Sequence, residues 1–159
     1  MTRPDRDTVA LGVAAAVAAG ATCVRRKVGA VVVDTDGRIA GTGHNGVLPD
    51  GGSCSAGDCP RGRHYMVDKG FPNLIECACG QLWPCPDAVE HGSAYDAGRG
   101  LCPAPHAEIR ACDDVDNEAR LVDATLYVTT APCDGCIDTV FTNTTILAIR
   151  WPKGTVVRP

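Results

Sequence analysis

Small apolar residues run with few breaks from Val9 to Cys23, and Asp5 and Asp7 stand just before them as capping carboxylates. This pattern predicts a first helix from about Thr8 to Ala19, with Gly20 as its stop. The β-branched run Val28 to Val33, the turn residues Thr35-Asp36-Gly37 and the segment Arg38 to Thr42 then predict a hairpin. From 43 to 105 the pattern dissolves, and Gly, Pro, Cys and polar residues follow one another without a sustained period. Periodicity resumes with a helix from about His106 to Asp113 and a strand over Ala124 to Thr129. A helix from Cys133 to about Phe141 and a strand over Thr145 to Trp151 complete it. Alternating helix and strand imply an α/β layered domain with a parallel portion. A structureless stretch as long as the middle segment is improbable in a compact domain unless something pins it, and cysteine coordination would do so.

The 159 residues suit one domain spanning 1–159, with an irregular Cys-rich insertion at about 47–104. Hydrophobic residues make up 45% but aromatics only 4%, so the core must be built from Ala, Val, Leu and Ile. A net charge of −4 and a pI near 5.5 count against an extended nucleic-acid footprint and favour a small-molecule substrate. Asp5 and Asp7 precede the apolar N-terminal run, whose side chains are small and interrupted by Gly12, unlike an export signal. No stretch reaches the eighteen or so apolar residues of a membrane span. Ten cysteines would suit a disulfide scaffold in a secreted chain. In a cytoplasmic chain, the expectation here, they are reduced thiols, several of them bound to metal.

The chemistry concentrates in His106-Ala107-Glu108 and Pro132-Cys133-Asp134-Gly135-Cys136. One imidazole and two thiolates give zinc three ligands and leave a tetrahedral position open for water, as catalytic sites do and structural ones do not. Glu108 is a carboxylate close to the ligand His106 without being a ligand, and so is suited to moving protons. Either half alone is a weak signal. In this order, with Pro105 and Pro132 favouring helix starts at the histidine and the first thiolate, they make the signature of zinc deaminases acting on nucleobases. Helix N-termini would also help hold the thiolates ionised.

Three more segments carry a resemblance: Cys23-Val24-Arg25-Arg26-Lys27-Val28-Gly29-Ala30, Gly43-His44-Asn45-Gly46, and Asp123-Ala124-Thr125-Leu126-Tyr127-Val128-Thr129. With the metal motif they resemble, in the same order, the deoxycytidylate (dCMP) deaminases of the cytidine deaminase superfamily. The resemblance implies a three-layer α/β/α fold around a mixed sheet of four to five strands, with the Cys-rich segment inserted. It implies hydrolytic deamination of dCMP to dUMP with release of ammonia, zinc on His106, Cys133 and Cys136, and Glu108 as proton shuttle. Substrate contacts would come from Asn45, Arg26 and Ala107. Asn45 between two glycines is equally a turn residue, and Arg25, Arg26 and Lys27 are equally a solvated basic stretch.

Some members carry a structural zinc, and here the resemblance points to Cys23, Cys54, Cys59 and Cys102. Cys77, Cys79 and Cys85, with His64 or His91, form a competing cluster. Most members assemble, commonly as hexamers, so a homo-oligomer is expected. Three departures stand out. His44 replaces a usual tyrosine in a segment tied to regulation by dCTP and dTTP, which argues against that regulation. Eight residues after Trp151 leave little room for a terminal helix and final strand, so a smaller sheet, or an edge covered by a partner subunit, is expected. Ile109 after the H-A-E triplet is what tRNA adenosine deaminases carry. The alternatives are therefore a deaminase of cytidine, a modified dCMP or tRNA adenosine, and a non-catalytic zinc-stabilised binding module, against which the intact Glu108 argues.

Overall fold

The β-branched run forms strand β1 (Gly29–Val33), all five residues of which are buried. It pairs antiparallel with β2 (Ile39–His44) on one side and with β5 (Thr125–Val128) on the other. β5 runs parallel to β6 (Ala148–Trp151), and β6 pairs antiparallel with β7 (Gly154–Val157). The result is a mixed five-stranded sheet in the order β2-β1-β5-β6-β7. The computed structural model describes residues 4–59, 63–64, 66–68, 70, 75–83, 85–86 and 104–159. They fall into two compact units, one of Met1–Ala21, Arg26–Asn45 and Pro105–Pro159, the other of Thr22–Arg25 and Gly46–Ala104. The sheet belongs to the first.

Because side chains alternate along a strand, β1 and β5 serve two cores. Helix α1 (Arg6–Ala18) covers one face, with Ala10 and Ala14 packed on Val31, Val33 and Tyr127. Helices α2 (Ala107–Asp113) and α3 (Asp134–Asn143) cover the other, where Ala107, Ala111 and Val140 meet Val32, Leu126, Val128 and Ile149. These are the three layers expected, with the aliphatic core that the composition requires. Leu126 is fully buried among them. Leu126→Ala is expected to cost about 2–5 kcal/mol, checked by denaturant unfolding.

Two glycines let the helices approach the sheet. A Cβ on Gly29 would lie 2.2 Å from the Ala14 carbonyl oxygen, and one on Gly43 would lie 2.3 Å from the Ala111 nitrogen and 2.4 Å from the Ala107 oxygen. Asp5 caps α1, accepting the Thr8 N–H at 2.7 Å. Asp7 is not a cap. It accepts the Tyr127 hydroxyl at 2.7 Å and pairs with Arg150, tying α1 to β5 and β6.

The expected smaller sheet is not what the chain forms. Trp151 ends β6, and Gly154 opens β7, in which Val156 packs on the core. Arg158 then donates to the carbonyls of Thr144 at 2.7 Å and Ile146 at 2.9 Å and lies over the Phe141 ring, closing the end of α3. In the second unit the structure adds elements that the sequence pattern does not announce. Strands β3 (Met66–Asp68) and β4 (Ile75–Cys77) pair antiparallel as a small separate sheet, and a 3-10 turn spans Cys54–Ala56. Among the described residues, no helix is long and apolar enough to cross a membrane.

Candidate active site

The three donors of the deaminase signature meet where α2 and α3 begin. His106 is the N-cap residue of α2 and Cys133 that of α3, both in extended conformation, with Pro105 and Pro132 one position before them. Neither side chain caps its own helix. The Cys133 Sγ lies 3.6 Å and the Cys136 Sγ 3.1 Å from His106 Nδ1. Cys133 also follows the end of β5, where it runs parallel to β6, and the carboxyl end of a parallel strand is a common place for a site in α/β folds.

All three ligand atoms lie within 4.8 Å of one another. A tetrahedral zinc with Zn–S of about 2.3 Å and Zn–N of about 2.0–2.1 Å sets N···S edges of about 3.6 Å, so this donor set fits the ion. Burial pushes the Cys136 thiol well up from its usual range, and the Glu108 and Cys133 charges push it further. A thiolate in such surroundings needs a cation beside it, which a bound metal ion supplies.

Glu108 occupies the first turn of α2 and is only 4% exposed. Burial is the largest influence on its carboxyl and raises its pKa, against smaller opposing pulls from its own backbone N–H, from His106 and from a hydrogen bond with Cys136. A carboxyl group lifted in this way can both release and accept a proton near neutral pH. Its burial beside the donors, without belonging to the donor set, matches a proton-transfer group.

Asn45 is 9% exposed and spans the loop before β1. Its Oδ1 accepts the Val28 N–H at 2.9 Å, and its Nδ2 donates to the Arg26 carbonyl at 2.8 Å. An amide has two acceptor sites and two N–H donors, and these two bonds use one of each. Ala107 is fully buried as the first residue of α2, whereas the Arg26 side chain is exposed. Gly29, which the sequence shows only as a member of its motif, donates its N–H to the Thr129 hydroxyl at 3.2 Å. A glycine inside a strand is the signal for close backbone approach that identifies such positions.

Of the suggested structural-zinc quartet, Cys23, Cys54 and Cys59 are buried, with Cys54 and Cys59 packed beside Ala104. These three do not form a set with ligand atoms within 4.8 Å among the described residues, and Cys102 lies outside them. The competing cluster is assembled: His64, Cys77, Cys79 and Cys85 bring their ligand atoms within 4.8 Å of one another. His91 lies outside the described residues.

Residues 4–147 match the cytidine and deoxycytidylate deaminase zinc-binding region. The chain belongs to that family and is a zinc-dependent deaminase. It is 39% identical to the deoxycytidylate deaminase of Mycobacterium phage D29 over 136 residues, 86% of each chain. It is 28% identical over 134 residues to the deoxycytidylate deaminase of Schizosaccharomyces pombe, spanning 84% of this chain but only 33% of that protein. Among solved structures, the dCMP deaminase of cyanophage S-TIM5 in complex with dCMP and dUMP superposes with a TM-score of 0.53 at 18% identity, covering 95% of this chain and 83% of the other. That likeness supports the fold.

Proposed function

We propose that this protein is a deoxycytidylate deaminase, converting dCMP and water to dUMP and ammonia. The observation that carries the reading is the buried Glu108 carboxyl set against the His106, Cys133 and Cys136 donors. The choice of substrate is supported by the named phage and yeast relatives. His106, Cys133 and Cys136 would hold the zinc, which when bound supplies a Lewis acid that lowers the pKa of a water toward neutrality.

Glu108 takes a proton from the attacking water and gives it to ring nitrogen 3 of cytosine. Carbon 4 gains the water oxygen. Glu108 then carries the second proton to the departing amine, and the carbon–nitrogen bond breaks to leave a carbonyl and ammonia. Asn45 orients the sugar with its side-chain amide. Arg26, exposed on that loop, supplies charge for the 5′-phosphate. By analogy with the family, the protein works as a homo-oligomer in the cytoplasm.

A product assay by mass spectrometry tests this reading on zinc-loaded protein, with dCMP, CMP, deoxycytidine, 5-substituted dCMP and a tRNA adenosine loop as substrates. Preferential conversion of dCMP is the expected outcome. Conversion of the RNA alone, the behaviour hinted at by Ile109, would overturn the assignment.

A further inference from the structure

We propose that His64, Cys77, Cys79 and Cys85 form a second zinc site, closed by four protein ligands, that holds the insertion together. The set shares no residue with the His106 centre or with Cys23, Cys54, Cys59 and Cys102.

The geometry is that of a tetrahedral ion. His64 Nδ1 lies 3.4 Å from Cys85 Sγ and 3.8 Å from Cys77 Sγ, and Cys79 Sγ lies 3.8 Å from Cys85 Sγ. Zinc with ordinary bond lengths sets N···S edges of about 3.6 Å and S···S edges of about 3.8 Å. Three thiolates and an imidazole are a soft donor set suited to zinc. With all four positions filled by protein, no water is left to activate, which makes the role structural.

Local backbone brings the donors together. β3 and β4 pair with Met66 opposite Cys77, which carries His64, two residues upstream, to the turn that follows β4. There Gly80 adopts φ +89° and donates its N–H to the Cys77 carbonyl at 2.8 Å, while the Cys77 N–H reaches the Gln81 carbonyl at 2.8 Å. This tight return places Cys77 and Cys79 on one knuckle and leads the chain back to Cys85. The Gln81 side-chain amide stands beside Cys85, 3.6 Å from its Sγ, and supports the thiolate once its N–H is turned to the sulfur.

Energetics ask for such a cross-link. Two strands of three residues cannot sustain themselves in water. Apart from Leu48 and Ala104, every apolar side chain described as buried in the second unit is a cysteine. With so little hydrocarbon buried among the described residues, metal coordination is a source of folding free energy suited to a segment of this kind.

The test uses the full chain, purified reduced. Cys79 is exposed, so Cys79→Ser removes a ligand without opening a cavity in a core. Zinc per chain, measured by plasma mass spectrometry, is expected to fall by one equivalent in Cys79→Ser and to be restored in Cys79→His. Cys133→Ser should lose a different equivalent, so that the double variant loses two. An unchanged zinc content in Cys79→Ser would overturn the proposal. A second measurement needs no variant. In the unaltered protein, alkylation of Cys79, followed by peptide mass spectrometry, should be several-fold slower with zinc than after chelation, despite its exposure. Equal rates with and without chelator would equally overturn it.

Discussion

Glu108→Gln is expected to lower turnover of dCMP by about 10²–10⁴-fold, the usual worth of a positioned general acid–base. The substitution keeps shape and volume in a site where the side chain is only 4% exposed. It leaves the imidazole and both thiols untouched, so zinc content should equal that of the parent. An amide cannot take a proton from water or return one to the amine. The carboxyl it replaces is desolvated, and its pKa is raised by that burial. A neutral amide avoids the cost of burying charge, so the melting temperature should hold or rise while activity collapses, as happens where a site is strained for function. Steady-state kinetics beside zinc analysis and a thermal melt check all three. Wild-type turnover in a homogeneous preparation of the Glu108→Gln variant would remove Glu108 from the mechanism.

Gly43→Ala should damage stability and catalysis together. Its new methyl would lie 2.3 Å from the Ala111 nitrogen, 2.4 Å from the Ala107 oxygen and 2.8 Å from the Arg110 carbonyl carbon, all of them backbone atoms of α2. Backbone cannot turn aside as a flexible side chain would, so the helix must lift from β2. Overpacking of this kind costs roughly 1–3 kcal/mol. The same helix carries Glu108 and has His106 at its N-cap position, and a misplacement of about 1 Å can cost on the order of 10²-fold in rate. Gly12→Ala is the control. Nothing lies within 4 Å of a Cβ there, and α1 should gain up to about 1 kcal/mol from it. Unfolding curves and kcat for both variants decide the matter. Equal stability of the two would show that the contact between α2 and β2 is not as tight as the structure has it.

The two glycines illustrate what a linear reading captures and what it misses. Gly29 and Gly43 are visible in the sequence as members of motifs. That each stands where helix backbone crosses the sheet emerges only when α1 and α2 are laid on β1 and β2. Asp7 makes the same point. Its place before the apolar run reads as a cap, yet Asp5 does the capping, and Asp7 reaches Tyr127 and Arg150, far along the chain. β7 escapes a sequence reading because Gly154 to Val157 is short and follows Pro152-Lys153. It is a strand because the edge of β6 offers unpaired backbone groups and Val156 finds the core.

The sequence by itself determined the layers and the chemistry. Runs of β-branched residues, a run of small apolar residues behind a capping carboxylate and a metal signature with prolines before its ligands are local signals. Each acts through its own backbone and nearest neighbours, and so they survive in one dimension. Tertiary structure alone decided how closely the donors meet and which of the competing cysteine clusters assembles. His106 and Cys136 are thirty positions apart and their donor atoms 3.1 Å apart. His64 joins Cys77, Cys79 and Cys85 because β3 and β4 pair in one register. Cysteine spacing specifies no partner, since a thiol can reach any donor that the chain folds beside it; only strand pairing and the turn at Gly80 select among them.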